Sequence, residues 1–182
     1  MNPVQPHLLE KARRIKLLLT DCDGVLTDAG VYYSAEGEQL KRFSIRDGMG
    51  VERLREIGRV ETGIMTGETS GSVAKRAEKL RLPHLYLGIK DKAAKLREIL
   101  EQTRLQPHEI AYIGDDVNDL GIIRQVGLSA SPADGMEEVR AVVDYTCQLP
   151  GGHGAFREFA ELVLAGKTHF SPETQSQPIV SL

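Results

Sequence analysis

Residues 15–28 read IKLLLTDCDGVLTD, and this stretch decides the fold. The apolar run at residues 17–19 predicts a strand buried on both faces, because only a central parallel strand is so continuously aliphatic. Asp21 and Asp23 follow directly, and positions two apart on an extended chain point the same way. Two carboxylates this close repel each other unless a cation lies between them. A turn with two solvated acids is the alternative interpretation of an isolated D-x-D-G.

Strand-like and helix-like patterns alternate along the rest of the chain with short connections. This order predicts an α/β fold, a doubly wound (Rossmann-like) and mostly parallel sheet covered on both faces. Residues 31–33 and 39–45 flank a glycine-containing loop and predict a protruding β-hairpin. The predicted helices are 8–14, 47–57, 72–82, 92–102, 117–125, 135–141 and 154–165, and the further strands are 59–65, 85–87, 110–113, 127–129 and 142–145.

Length and composition indicate one globular domain over residues 1–166, followed by a flexible tail over 167–182 that is polar and aperiodic. The content of 41% hydrophobic and 27% charged residues is ordinary for such a domain. A net charge of −3 argues against nucleic acid or an anionic membrane as partner. No run approaches the ~20 apolar residues of a membrane span, and no signal-peptide core is found, so we expect a cytoplasmic protein.

The two cysteines, Cys22 and Cys147, do not indicate chemistry. They are too few for a disulfide framework and lack the spacing of metal ligands. A cysteine phosphatase would need an arginine six positions after its nucleophile, where this chain has Asp28 and His153. We expect both thiols to be small buried fillers.

Three further fragments follow the first motif in order. Thr66 closes the apolar stretch 60–65, Lys92 opens the helix at 92–102, and the run GDDVND at 114–119 follows the strand at 110–113. In a doubly wound sheet, ligands bind beyond the carboxyl ends of the strands, where Asp21, Asp23, Thr66 and Asp115 are expected. Taken singly, Lys92 could be a surface lysine, and Thr66 with its following glycine could be a plain loop.

Together the four fragments resemble the haloacid dehalogenase superfamily of phosphohydrolases, whose first motif is D-x-D-G-[VT]-[LT]-T. The resemblance implies phosphate-ester hydrolysis through an aspartyl-phosphate, with Asp21 as nucleophile and Asp23 as general acid and base. It implies Mg²⁺ bound by Asp21, Asp115 and the main-chain carbonyl of Asp23, since oxygen-only ligands with room for water favour this ion. Lys92 and the Thr66 hydroxyl would then contact the phosphoryl oxygens.

Two more acids belong to the last motif. Asp119 is expected to orient Lys92 or the metal shell rather than to bind metal, and Asp116 to support the shell or to cap a helix. Members of the superfamily usually insert a cap domain after the first motif or between the Thr and Lys motifs. Here the predicted elements fill both intervals, so no cap domain is expected.

Residues 16–166 resemble the cap-less branch that includes phosphatases of 3-deoxy-D-manno-octulosonate 8-phosphate, an eight-carbon sugar acid. The resemblance implies a homotetramer in which hairpins pack at the centre and neighbouring subunits cover each active site. Arg46, Gly67 and Arg157 are the residues it implies for substrate binding. From the residues alone, the segment 151–154 could be a flexible loop, and Asp47 could be the N-cap of a helix that starts near Arg46.

Glu68 departs from the eight-carbon pattern, which typically has arginine after the Thr-Gly pair. Glu68 and Lys79 instead resemble a sister group that acts on 9-phosphates of nine-carbon 2-keto-3-deoxy acids of the sialic-acid type. Eleven residues make three helical turns, so the two side chains are predicted on one helix face as substrate-binding groups. A solvated helix face is the alternative.

Two rival functions remain open at this point. A phosphomutase or a phosphatase of phosphoserine or a nucleotide would usually carry the cap that this chain lacks. A non-catalytic oligomeric module of phosphatase-like fold would be favoured by loss of a motif residue, and Asp21, Asp23, Thr66, Lys92 and Asp115 are all intact.

Overall fold

The computed structural model describes residues 5–169, and its centre is a six-stranded sheet. The strands of the chain are β1 (Leu17–Thr20), β2 (Val31–Ser34), β3 (Gly37–Lys41), β4 (Glu61–Met65), β5 (His84–Tyr86), β6 (Ile110–Ile113), β7 (Leu128–Ser131) and β8 (Tyr145–Thr146). The sheet has the order β5-β4-β1-β6-β7-β8, and every pairing in it is parallel. The predicted mostly parallel sheet is therefore confirmed.

Helices cover both faces of the sheet. They are α1 (Pro6–Arg14), α2 (Ile45–Arg53), α3 (Gly71–Leu80), α4 (Lys92–Thr103), α5 (Leu120–Ile123), α6 (Glu137–Arg140) and α7 (Ala155–His169). One apolar cluster contains Leu18 together with residues of α1, α2, α3 and α7, and the other contains Leu17 and Leu19 together with residues of α4, α5 and α6. Successive residues of β1 thus serve opposite faces, which confirms the doubly wound arrangement.

The predicted hairpin is present as the antiparallel pair β2–β3, and it stands apart from the main sheet. Its second strand ends at Lys41 rather than at residue 45, because Ser44 starts the next helix. The Ser44 hydroxyl accepts a hydrogen bond from the backbone N–H of Asp47 at 3.4 Å. Ser44, and not Asp47, is therefore the N-cap of α2, so the alternative role for Asp47 as that cap is wrong.

Several predicted helices are shorter or differently wound than the sequence indicated. The segment predicted as helix 47–57 is α2 followed by a π-helical turn at Leu54–Gly58, which ends at Arg59 with a φ of 51°. The segment 117–125 is a 3-10 turn at Val117–Asp119 followed by the short α5. Helix α7 reaches His169 and so includes residues 167–169 of the predicted tail, while 170–182 lie outside the described residues.

The glycine-rich loop before α7 packs against the loop that follows β1. The backbone N–H of Gly152 donates to the carbonyl oxygen of Val25 at 2.9 Å. A Cβ atom at Gly151 would lie 1.9 Å from the carbonyl oxygen of Gly24, so only glycine fits there. Asp47 fixes the start of α7, since its Oδ1 atom accepts from the backbone N–H of Arg157 at 2.9 Å.

No cap domain interrupts the chain after β1 or after β4 within residues 5–169. Over the same residues, the helices are too short or too polar to cross a membrane. Cys22 and Cys147 are buried and unpaired, as the sequence predicted.

The contact between the two loops makes a stability prediction. Gly151→Ala should lower the free energy of unfolding by about 1–3 kcal/mol, because the new methyl group meets backbone that must move. Gly71→Ala is the control, since nothing lies within 4 Å of a Cβ atom there, and it should leave stability equal or higher. Urea unfolding of both variants measures the difference, and equal stability of the two would contradict the tight contact.

Candidate active site

Three strands of the sheet end level with one another and so bring their following residues together. Thr20, the last residue of β1, is in register with Ile64 on one side and Ile113 on the other. Asp21, Thr66 and Asp115 come within two residues of these strand ends, at the carboxyl edge of the sheet. The backbone N–H of Asp21 continues the pairing by donating to the carbonyl oxygen of Ile113 at 2.9 Å.

Lys92 reaches this edge from the first turn of α4. Its Nζ atom donates to Asp21 Oδ2 at 2.7 Å and to Asp119 Oδ1 at 2.6 Å, and its side chain is 1% exposed. Burial alone would lower the pKa of Lys92, but the charges of Asp21 and Asp119 outweigh it and raise the pKa above its ordinary value. The ammonium group is therefore charged at neutral pH and bound between two carboxylates.

Asp119 is fully committed to positioning its neighbours. Its Oδ1 atom accepts from Lys92 and from the Tyr112 hydroxyl at 2.6 Å, and its Oδ2 atom accepts from the backbone N–H groups of Asp115 at 3.0 Å and Asp116 at 3.4 Å. The arrangement agrees with the predicted role of orienting Lys92. Sequence reasoning missed Tyr112, whose signal is a tyrosine within the otherwise aliphatic strand β6.

Asp115 has an oxygen atom with no partner. Its Oδ1 atom is buried and makes no hydrogen bond, and carboxylate oxygens of Asp21, Asp115 and Asp119 all lie within 4.8 Å of one another. Burial and the nearby Asp21 raise the pKa of Asp115 to about 8, and burial raises that of Asp21 to about 6 although Lys92 opposes the shift. Asp119 already accepts four hydrogen bonds, so Asp21 and Asp115 are the oxygen donors that fit a hard divalent cation, which would neutralise the repulsion that the metal-free acids experience.

Gly24 provides the room for this acid. Its φ is 81°, and a Cβ atom on it would lie 1.9 Å from Asp115 Oδ2. A glycine is required both by the left-handed backbone and by the approach of the carboxylate. The main-chain carbonyl of Asp23 as a third metal ligand stays a prediction.

Asp23 is bound by a lysine of the hairpin that sequence reasoning did not single out. Lys41 Nζ lies 2.6 Å from Asp23 Oδ1 and 2.5 Å from Oδ2, and the Thr27 hydroxyl donates to Oδ1 at 3.3 Å. The only sequence signal for Lys41 is strand alternation, which turns it inward next to the exposed Leu40.

Thr66 and Gly67 are tied to the segment that leads into α4. The carbonyl oxygen of Thr66 accepts from the N–H of Ile89 at 2.9 Å, and the Gly67 carbonyl accepts from Lys90 Nζ at 3.1 Å. The Thr66 hydroxyl oxygen accepts from the N–H of Glu68 at 3.2 Å, which leaves its own proton free to donate. The Thr and Lys motifs are thereby held as one unit.

Glu68 and Lys79 do not share a helix face. Helix α3 begins at Gly71, because the Ser70 hydroxyl caps it by accepting from the N–H of Val73 at 3.3 Å. Glu68 therefore lies in the loop beside Thr66, while Lys79 lies in the last turn of α3. The predicted shared face is wrong, and substrate contact by either residue stays a prediction.

Asp116 is exposed, and its carboxylate accepts from the N–H of Val117 at 2.6 Å at the start of a 3-10 turn. The sequence predicted that Asp116 would support the metal shell or cap a helix, and in the structure it caps the 3-10 turn. Its neighbour Asp115 supplies the buried oxygen of the site.

Arg46 and Arg157 line a separate cavity of about 640 Å³, which is formed mainly by α7 and the segment from β8 to α7, with Arg46 from the start of α2. Arg157 Nε donates to Glu161 Oε1 at 2.6 Å, and Arg46 is exposed. None of Asp21, Asp23, Thr66, Lys92 and Asp115 lines this cavity. The two arginines thus lie along a different cavity from these five residues, and their contact with substrate stays a prediction.

Comparison with known proteins agrees with this geometry. Residues 87–156 match the model of a family described as haloacid dehalogenase-like hydrolase. Over 163 residues the chain is 39% identical to the 3-deoxy-D-manno-octulosonate 8-phosphate phosphatase KdsC of Salmonella typhimurium. The aligned region covers 90% of this chain and 86% of that protein. The chain belongs to the haloacid dehalogenase-like hydrolases.

Solved structures of this family superpose over most of the chain. A 3-deoxy-D-manno-octulosonate 8-phosphate phosphatase from Yersinia pestis has a TM-score of 0.88 at 37% identity and covers 91% of this chain and 89% of its own. A second structure is that of the phosphatase of the same name from Moraxella catarrhalis, in complex with magnesium, phosphate and KDO. It has a TM-score of 0.86 at 35% identity, and the aligned region covers 93% of this chain and 97% of that chain. These hydrolases share the cap-less fold described above.

The partnerless oxygen of Asp115 predicts how stability depends on pH without metal. The folded-state pKa of about 8 lies above the ordinary value of 3.8, so the folded protein retains this proton longer than the unfolded chain. Stability is therefore full at low pH and falls as pH rises toward 8. Asp115→Asn should raise the melting temperature of the metal-free protein at pH 8 and change it little at pH 4.

Magnesium should make the wild type, rather than Asp115→Asn, the more stable protein at pH 8. At a hundred times its dissociation constant it should stabilise the wild type by about 2.7 kcal/mol, and Asp115→Asn far less. Asp116→Asn is the matched control, since its carboxylate is an exposed cap, and it should respond to magnesium as the wild type does. An equal magnesium response of Asp115→Asn and the wild type in thermal melts would exclude Asp115 as a ligand.

Proposed function

We propose that this protein is a magnesium-dependent phosphatase that hydrolyses 3-deoxy-D-manno-octulosonate 8-phosphate to the free sugar acid and inorganic phosphate. The observation that carries the proposal is the buried Lys92 between Asp21 and Asp119, beside the partnerless oxygen of Asp115. The KdsC relative from Salmonella typhimurium, 39% identical over 163 residues, and the magnesium, phosphate and KDO in the Moraxella catarrhalis structure support the substrate and the cofactor.

Asp21 is oriented for attack on phosphorus. Its Oδ1 atom accepts from the backbone N–H of Cys22 at 2.6 Å, and its Oδ2 atom accepts from Lys92 at 2.7 Å. A carboxylate oxygen of Asp21 forms a bond to phosphorus while the bond from phosphorus to the sugar oxygen breaks. Asp23 donates its proton to that leaving oxygen, which departs as an alcohol.

Water completes the reaction. Asp23 removes a proton from the water as its oxygen bonds to phosphorus, and the bond between phosphorus and Asp21 breaks, which restores Asp21 and releases phosphate. Lys92 and the Thr66 hydroxyl donate to the phosphoryl oxygens as charge develops on them. Magnesium held by Asp21, Asp115 and the Asp23 carbonyl would supply the neutralisation that a dianionic substrate needs beside so many acids.

The identity of the sugar acid depends on the groups beside Thr66. Glu68 is exposed there, where the eight-carbon branch typically has arginine, and this is the observation that favours 9-phosphates of nine-carbon acids as a second candidate substrate. The names of the relatives at 39% and 38% identity favour the eight-carbon acid. Both candidates use the same catalytic groups.

Phosphate release from the two substrate classes tests the function. With magnesium present, kcat/KM on octulosonate 8-phosphate should exceed that on nonulosonate 9-phosphates, and Asp21→Asn should lose at least 10³-fold on either substrate, because no nucleophile remains. Equally poor rates on both would refute the substrate assignment. No release from any phosphate monoester would instead favour the non-catalytic oligomeric module, and an active Asp21→Asn variant would remove the aspartyl-phosphate.

A homotetramer in which neighbouring subunits cover each active site is part of the proposal. Its support is a set of exposed apolar side chains on the hairpin and the adjoining start of α2, namely Val31, Tyr32, Tyr33, Leu40, Ile45 and Met49, with Ile45 84% exposed. A concentration of exposed apolar side chains on one element is typical of an interaction surface. A site without a cap domain needs such cover, and Arg157 would reach substrate from a neighbouring chain.

Removing apolar surface from the hairpin tests the assembly. The double variant Tyr33→Ser, Leu40→Ser should dissociate to smaller species and raise KM, because the cover over each site is lost. Ile57→Ser, Val142→Ser is the matched control, since these exposed apolar residues lie outside the hairpin. Sedimentation equilibrium measures the mass, and an unchanged mass of the hairpin variant would show that this surface does not hold the subunits together.

A further inference from the structure

Lys41 is a buried cation on an otherwise exposed hairpin. Leu40 is 63% exposed, whereas the side chain of Lys41 is 1% exposed, because strand alternation turns one outward and the other toward the loop after β1. Lysines at a surface ordinarily extend their ammonium groups into water. The burial of this one therefore indicates a specific partner.

That partner is Asp23, and the contact engages both of its carboxylate oxygens, at 2.6 and 2.5 Å. The only other side-chain hydrogen bond to the carboxylate among the described residues is the longer one from Thr27, at 3.3 Å. Lys41 is consequently the main determinant of where the Asp23 carboxylate points. A buried ammonium group without such a pairing would be strongly unfavourable.

A second acid fixes Lys41 in turn. Glu38, on the same strand, lies 3.7 Å from Lys41 Nζ, and its other oxygen accepts from the Ser70 hydroxyl. Ser70 is the N-cap of α3, the helix that follows the loop containing Thr66 and Gly67. The ammonium group of Lys41 thus contacts the loop after β1, Glu38 of the same strand contacts the end of the loop after β4, and the hairpin is fastened to both.

We propose that Lys41 is a positioning residue that fixes the Asp23 carboxylate for proton transfer to the leaving oxygen and from the attacking water. The inference rests on the proposed function, in which Asp23 is the general acid and base. Lys41 acts through its contact with Asp23, and the proposal gives it no contact of its own with the reacting atoms.

Positioning of this kind has a kinetic signature. The phosphoryl group is bound by Lys92 and Thr66, so loss of Lys41 should leave KM within about twofold and lower kcat. A displacement of about 1 Å in a catalytic group is sufficient for a loss of about 100-fold. The defect should disappear when Asp23 itself can no longer transfer a proton, because residues that act through one group are not additive.

The experiment measures phosphate release from octulosonate 8-phosphate by the full chain with magnesium. Lys41→Met should lower kcat by about 10- to 100-fold at nearly constant KM, and Lys41→Arg, which can still bind both oxygens, should recover much of the loss. In an Asp23→Asn background, Lys41→Met should change the residual kcat by no more than about twofold. Lys75→Met is the matched control, because it removes an exposed ion pair with Glu78, and it should retain wild-type kcat.

Three results would overturn the inference. One is a wild-type kcat in Lys41→Met, another is an equal fold-loss from Lys41→Met with and without Asp23→Asn, and the third is a rise in KM with kcat unchanged. Should Lys41→Met not fold, as judged by circular dichroism, Lys41→Gln provides the same comparison with one neutral donor retained. If the wild type hydrolyses the substrate and Asp23→Asn retains only a small residual kcat, the proposed function stands whatever Lys41 does, so the two failures are distinguishable.

Discussion

The rest of the site depends on one buried ammonium group held between two carboxylates. Lys92 bonds to Asp21 and Asp119 with almost no exposure of its side chain, so water screens these charges little. Removing one partner of such a pair typically costs about 3–5 kcal/mol, because the remaining charge stays buried. The pairing is possible only because β1, β4 and β6 end level and α4 begins beside them. The charge balance of the site therefore depends directly on the arrangement of the sheet.

The sequence predicted this convergence because its signals are local. An aliphatic run followed at once by acids identifies both the central strand β1 and the edge at which it ends, and the same holds for β6 and Asp115. Because ligands bind beyond the carboxyl ends of parallel strands, these acids are expected to lie together. Lys41 and Tyr112 belong to no motif of this kind, although their partners Asp23 and Asp119 are only 18 and 7 positions away. Strand alternation and an isolated tyrosine are the only signals for these two residues, and neither signal identifies the partner.

The wrong predictions have equally local causes. Spacing by eleven residues suggested a shared helix face for Glu68 and Lys79, but Ser70 is a better N-cap than a mid-helix residue, so the helix starts after it. Ser44 acts in the same way before α2 and shortens the second arm of the hairpin. Before α2 a serine hydroxyl thus sets a boundary that the sequence pattern misplaced, whereas the predicted helix start at residue 72 lies within one residue of Gly71 and only the spacing argument failed there.

Gly24 is in close contact with both Gly151 and Asp115. These contacts limit how far the chain could be shortened without disturbing the site. The backbone of Gly24, beside which Asp115 lies, is contacted by a loop more than a hundred positions after β1, so a truncation before residue 151 would remove this contact. The segment 87–156, which matches the family model, contains Lys92 and Asp115 but lacks Asp21. A fragment that keeps Asp21, Lys92, Asp115 and the contact of Gly151 must therefore span most of the fold, so the site does not belong to a separable segment.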